Sequence, residues 1–450
     1  MLHSAKLSIR CYRAQTPLSR SFSSGLSARA KATKPTAPAK SKGGGFKVRK
    51  EEYGGGRKIA VTRVGALSEQ LLMGHHLLQA PERQLGLSQL GPDILTSRAI
   101  GTTVSLPSGR GTIVGSFGLP RSLESEFSLL SNPTTVIRDV TLSIFEALNI
   151  GSKSGTSSQD ARIALTGDTG SGKSHLLLQA ANYAAADKWI VLYAPKVISW
   201  VDSTTPYAYD PRTKTFQQPE LAAQILGQFI AANSTILSNI KIPKTVQNER
   251  LGTFSEGTPL SNLLSIGQKD QLATEVLGVT LGVLGGQTQY PVLLAIDDFQ
   301  ALFCMSRYRD PQYQLIFAHH LSLPRIILEY ATGKRVLTRG AVVGALSTTD
   351  PRFLAPLPLK EALGMVQQGA ISPYERRNKD IVFYASGIKN LSVPSKMHLG
   401  EAASVFDVWV NNNALHTPAK DTLFLSKYVE ASGNPRELVR AGLLTTLSTS

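Results

Sequence analysis

The chain has 450 residues, 42% of them hydrophobic and 18% charged, with a formal net charge of +16 and a pI near 9.8. Such a balance is too apolar for a wholly disordered polyelectrolyte and has room for two or three domains. No uninterrupted apolar run reaches the ~18–20 residues of a membrane helix. The two cysteines, Cys11 and Cys304, have no metal-ligand spacing and cannot make a disulfide framework.

The excess charge is concentrated at the start. Residues 1–50 contain about a dozen Lys and Arg and no acid before Glu51, so the remainder is only mildly basic. Residues 1–22 are Ser-rich and acid-free, with Lys6, Arg10 and Arg13 on one helical face and Leu2, Ala5, Ile9 and Tyr12 on another. This is the pattern of a mitochondrial transit peptide, with a matrix-processing cut expected after Phe22 in Arg20-Ser21-Phe22-Ser23. A basic tail on a cytosolic or nuclear protein is the alternative. Residues 23–56, rich in Lys, Ala, Pro and Gly, cannot bury enough apolar surface to fold alone and read as a disordered basic arm. That arm fits a solvated linker or an RNA-binding tail equally, because neutralised phosphates release counterions.

Residues 57–135 form an N-terminal extension of short amphipathic stretches broken by Pro81, Gly91-Pro92, Gly109 and Pro120. His75 and His76 are adjacent, point in different directions on any regular element, and lack a third ligand, so they read as structural or surface residues. Helical periodicity over 134–150 and a Gly/Ser loop lead into a nucleotide-binding domain assigned to residues 136–370.

That domain opens with an apolar strand, Arg162-Ile163-Ala164-Leu165-Thr166. Gly167-Asp168-Thr169-Gly170-Ser171-Gly172-Lys173-Ser174 follows at once, then an Ala/Leu-rich helix through Ala184. Strand, G-x-x-x-x-G-K-S and helix in that order predict a P-loop. The glycines let backbone N–H groups turn inward around phosphates at a helix N-terminus. Lys173 is expected on the β- and γ-phosphates and the Ser174 hydroxyl on Mg2+. A second strand over 189–194 completes a βαβ unit and a parallel sheet. Val292 to Ile296 then run into Asp297 and Asp298. Asp297 is expected to hold the magnesium and Asp298 stands where related ATPases orient water. As an Asp it is one methylene shorter than Glu, so turnover is expected to be slow or absent.

A strand over 340–346 ends in Ser347-Thr348-Thr349, placed for a γ-phosphate sensor. Asp380 to Ala385 is expected as the fifth strand. Residues 371–450 otherwise turn helical over 401–412, 421–431 and from Pro435, forming a lid. Arg436 lies in a first turn, where a cation opposes the helix dipole, so it reads as a phosphate contact or an exposed surface arginine.

These residues resemble P-loop NTPases of the AAA-plus and STAND type: an α/β fold with a helix-flanked parallel sheet, a polar sensor and a helical lid carrying a second sensor, the place of Arg436. More narrowly, Ala194-Pro195, Ser199-Trp200-Val201 and Phe216-Gln217-Gln218-Pro219-Glu220-Leu221-Ala222 resemble the death-associated protein 3 family of the mitochondrial small ribosomal subunit. The resemblance spans roughly residues 70–445. It implies a place in the subunit head within the mitochondrial matrix, with ribosomal proteins and ribosomal RNA as partners. It further implies GTP or GDP with Mg2+ as cofactor, ATP being the alternative, and no homo-oligomeric ring. The base-reading Asn-Lys-x-Asp of small GTPases is absent, since Asn378-Lys379-Asp380 lacks the spacer, so guanine is implied by the resemblance alone. The rival readings are a free mitochondrial AAA-plus-like ATPase, which an arginine finger would favour although Arg307 and Arg309 read as surface residues, and a nuclear RNA-binding protein.

Overall fold

The computed structural model describes residues 86–444 except 95, 154, 268–269, 367–373, 413 and 416–419. The expected import signal, the basic arm and the His75-His76 pair lie outside the described residues.

Five parallel strands form the central sheet: β1 (Arg162–Thr166), β2 (Ile190–Ala194), β3 (Val292–Ile296), β4 (Gly340–Ala345) and β5 (Lys389–Ser392). Their spatial order is β5-β1-β4-β3-β2. Strands β2, β3 and β4 are buried along their whole length, which is why they read as unbroken Val/Ile/Leu/Ala runs instead of alternating ones. Helices flank the sheet. Among them are α1 (Asp139–Ser152), α2 (Lys173–Ala186), α3 (Pro219–Leu237), α4 (Asp270–Gly286) and α5 (Ser322–Ala331). Helix α2 runs straight from the glycine loop and buries Leu176, Leu177, Leu178, Ala180 and Ala181 against the sheet. Residues of the preceding extension, including Leu106, Ile113, Phe117 and Leu123, share the same core. A short antiparallel pair, Thr103–Ser105 with Thr134–Val136, ties that extension to the start of α1.

The strand expected at Asp380–Ala385 is a helix, Lys379–Ala385. Asn378 caps it by accepting from the N–H groups of Asp380 and Ile381. Ile381, Tyr384 and Ala385 are buried while Val382 and Phe383 are exposed, which is helical and not strand spacing. The fifth strand lies just beyond it, and Thr166 Oγ1 donates to Asn390 Oδ1 at 2.6 Å to join β5 to β1. Asn378 is therefore occupied as a cap.

Helices α6 (Leu399–Asn411), α7 (Asp421–Glu430) and α8 (Pro435–Leu438) form the C-terminal helical portion. They have a small core of their own, in which Ala402, Phe406, Ala431, Leu438 and Leu443 gather with the fully buried Trp409.

Candidate functional site

The glycine loop, the two aspartates and Ser347 to Thr349 stand at the carboxyl edge of the parallel sheet, where β1, β3 and β4 release their chains side by side. The loop leaving β1 needs left-handed backbone at three places. Gly167, Gly170 and Gly172 have φ of 138°, 82° and 95°, which a side chain rarely tolerates. A Cβ on Gly170 would lie 2.5 Å from Asn434 Oδ1 and 2.9 Å from the Cβ of Arg436. Gly172 is the N-cap of α2, so the helix opens its unpaired N–H groups onto the loop. Lys173 is largely buried, and its ammonium donates to the carbonyls of Gly167 (2.9 Å) and Asp168 (2.6 Å). Its pKa lies below the ordinary lysine value, first through burial and then through the charge of Arg436, with Asp297 and Asp168 acting the other way.

Asp297 follows β3 and is 3% exposed. Burial first, and then the neighbouring Asp298, push its carboxyl up to about 7; hydrogen bonds from the Ser174 side chain and the Asp298 N–H, and the charge of Lys173, oppose this. Asp298 sits in left-handed backbone (φ 54°) and donates its N–H to Asp297 Oδ1 at 2.9 Å. Its own carboxyl is raised by burial, offset by a hydrogen bond with Ser347 and by Lys196. A buried carboxyl with a second one beside it has a raised ionisation cost, which a divalent cation would offset. The nearest donors, a hydroxyl and a carboxyl oxygen, are the hard oxygens that suit Mg2+.

The end of β4 meets the loop directly. The Thr348 and Thr169 hydroxyls are hydrogen-bonded to one another, and Ser347 N–H donates to Gln300 Oε1 at 2.9 Å. From the helical portion, Asn434 Nδ2 donates to the Thr169 carbonyl at 3.0 Å and Arg436 N–H to the Gly170 carbonyl at 3.2 Å. Asn434 also caps α8, with Pro435 at its first position. Arg436 is exposed and close enough to Lys173 for their charges to interact.

Sequence reasoning missed the residue that ties these parts together. Arg138 is 6% exposed and reaches three segments at once. Its guanidinium donates to the Ser171 carbonyl (2.8 Å), to the Lys396 carbonyl (3.0 Å) and to Glu401 Oε2 (3.3 Å). Glu401 in turn accepts from the His398 N–H at the start of α6. The only signal for Arg138 was its isolation as a charge in the otherwise uncharged stretch 127–138, and that says nothing about its partners.

A cavity of about 280 Å³ opens over the loop, bounded by Thr169, Gly170, Gly172, Lys173 and Ser174 on one side and by Met397, Trp409, Arg436 and Leu438 on the other. Gly167, Asp168 and Asp297 do not line it; Asp297 connects to it through Ser174. Arg307 and Arg309 lie instead on the exposed face of a hairpin, Met305–Arg309 with Leu315–Phe317, where Arg309 Nη1 donates to the Tyr313 carbonyl. The residues behind the narrower resemblance are joints. Gln218 is fully buried and donates to the Trp200 carbonyl (2.8 Å) and the Tyr308 hydroxyl (3.0 Å).

Residues 135–441 match the protein family described as mitochondrial ribosomal death-associated protein 3. Among curated proteins the chain is similar to small ribosomal subunit protein mS29 of Schizosaccharomyces pombe, 26% identical over 81% of this chain and 77% of that protein. The mS29 of Neurospora crassa is 24% identical over 71% of this chain and 70% of its own length. The mouse mS29 is 31% identical over 47% of this chain and 56% of its own.

Proposed function

The chain belongs to the mitochondrial ribosomal death-associated protein 3 family, and on that premise we propose that it is a structural constituent of the mitochondrial small ribosomal subunit holding a guanine nucleotide with magnesium. Its place is the mitochondrial small subunit, among ribosomal proteins and ribosomal RNA. The observation that carries the nucleotide reading is the convergence on one loop of a helix N-terminus, Lys173, the Ser174–Asp297 pair and Arg436.

In this reading residues 167–174 are a P-loop. Backbone N–H groups from Gly170 to Ser174 cradle the phosphates, and Lys173 leaves the Gly167 and Asp168 carbonyls to meet the terminal ones. Ser174 and Asp297 hold the magnesium, which neutralises phosphate charge when bound. Arg436 and Thr348 approach the outer phosphate, so the helical portion acts as a lid that senses it. Asp298 is held by Ser347 and Lys196 and is short for orienting water, which favours a nucleotide that is retained over one that is turned over. The domain is then a ribosomal building block with a ligand in its joint, and not a ring-forming motor.

Two measurements test this. Mass identification of nucleotide co-purifying with the full-length chain is expected to return GTP or GDP. Sedimentation of mitochondrial lysate is expected to place the chain with the small subunit. Migration free of that subunit would sink the ribosomal assignment. Rapid turnover by the isolated chain, abolished by Lys173→Ala, would favour the free ATPase instead.

A further inference from the structure

We infer that Glu126 reads the base of the bound nucleotide and selects guanine, an assignment that rests on the nucleotide reading above. The cavity over the glycine loop is bordered by several cations, Lys173 and Arg436 among them, and Glu126 is the sole carboxylate among its lining residues. A carboxylate beside an anionic ligand carries an electrostatic cost, which nearby cations and hydrogen bonds accepted from the ligand offset. Glu126 is well placed to accept them. Its side chain is 13% exposed, and Oε2 lies 3.3 Å from Nε2 of His175, the residue that follows Ser174. Phe127 meets the His175 ring edge-on at 5.5 Å and so fixes the pair.

Leu123, Leu438 and Trp409 add apolar lining to the same cavity, the kind of surface against which a base packs. Glu126 is thus a polar group in a cavity whose lining also holds apolar residues, the mixture that gives orientation and specificity. Carboxylates accept and do not donate. Guanine presents N1–H and the N2 amino group side by side, so both oxygens of one carboxylate find donors. Adenine places a bare N1 acceptor beside its N6 amine, and a carboxylate there faces a lone pair. This supplies a base reader in a chain that lacks the Asn-Lys-x-Asp motif, and it does so from the extension before the loop.

Isothermal titration of the full-length chain with GDP, IDP, ADP and XDP in Mg2+ tests the assignment. GDP is expected to bind roughly ten- to a hundredfold more tightly than IDP, which lacks the N2 amine, and than ADP. Glu126→Gln is expected to lose most of that margin, leave ADP within about twofold, and gain affinity for XDP, whose O2 the new amide can meet. Equal affinity of the unmodified chain for GDP and IDP would overturn the assignment without any variant having to fold. So would a loss shared equally by all four ligands in Glu126→Gln, which would place the carboxylate on the ribose. Binding of none of the four would overturn the nucleotide reading itself, and this assignment with it.

Discussion

At the scale of single residues, the glycine loop depends on close approach as much as on conformational freedom. Gly170 has both constraints, a φ of 82° and Asn434 of the C-terminal helical portion within 2.5 Å of any added Cβ. Gly170→Ala is expected to cost about 1–3 kcal/mol in backbone strain and to push Asn434 and Arg436 off the loop. Calorimetry should show nucleotide affinity falling by at least roughly tenfold, a larger loss than the melting shift alone explains. Arg138 makes a different kind of prediction. Replacing it with Met leaves Glu401 buried without its cation, and removal of one partner of a buried pair costs about 3–5 kcal/mol. Urea denaturation of Arg138→Met, and of Arg138→Met with Glu401→Gln, should show the double variant recovering part of that loss.

At the scale of elements, the sheet ends on β2, whose free edge would expose unpaired backbone. Helix α3 supplies the missing neighbour through one side chain. Asn233 Oδ1 accepts from the Val191 N–H at 2.8 Å, and its Nδ2 donates to the Val191 carbonyl at 2.9 Å. Asn233 itself is kinked out of helical geometry (φ −116°, ψ 15°), and its Nδ2 also donates to the Phe229 carbonyl. Asn233→Leu is expected to destabilise the domain by about 2–4 kcal/mol, because two buried backbone groups lose their partner. The C-terminal helical portion is expected to loosen on its own. Trp409→Ala, which empties the centre of its small core, should cost about 3–5 kcal/mol locally. Hydrogen exchange is then expected to rise over residues 399–444 and to leave β1 to β4 protected.

At the scale of the whole molecule, acid sensitivity and assembly can be read separately. His319 is buried with Nε2 unpaired, and its pKa falls to about 4 from the usual 6.5, chiefly through burial and then through His320 and Arg325, against Asp380. At neutral pH its 3.7 Å approach to Asp380 is therefore not an ion pair. The depressed folded value means that the unfolded chain binds the proton more readily. Its contribution to stability is fully present above about 6.5 and is lost as pH falls towards about 4. Denaturant midpoints at pH 7 and pH 5 should separate more for the unmodified chain than for His319→Gln. Assembly should follow a different residue logic. Lys173→Ala is expected to abolish nucleotide retention and still co-sediment with the small subunit, because the loop is a joint inside the domain.

The local grammar of this protein was legible in its residues. Buried strands announce themselves as unbroken apolar runs, and glycines before a Lys-Ser at a helix start have few other uses. For that reason β1, the loop, α2, β3 with its two aspartates and the start of α8 were all found by reading along the chain. The run Asp380–Ala385 was misassigned because an acid followed by five apolar and aromatic residues is too short and too uniform to carry a decisive period. The cap from Asn378 and the burial of Ile381 and Tyr384 decided it. What reading along the chain could not supply was convergence across it. Arg138 meets Ser171 and Glu401 from 33 and 263 residues away, Asn434 reaches Thr169 across 265, and Glu126 meets His175 across 49. No spacing rule links positions so far apart, because their meeting depends on how sheet, extension and C-terminal helices pack together. Sequence determined which loop to look at, and tertiary structure decided what surrounds it.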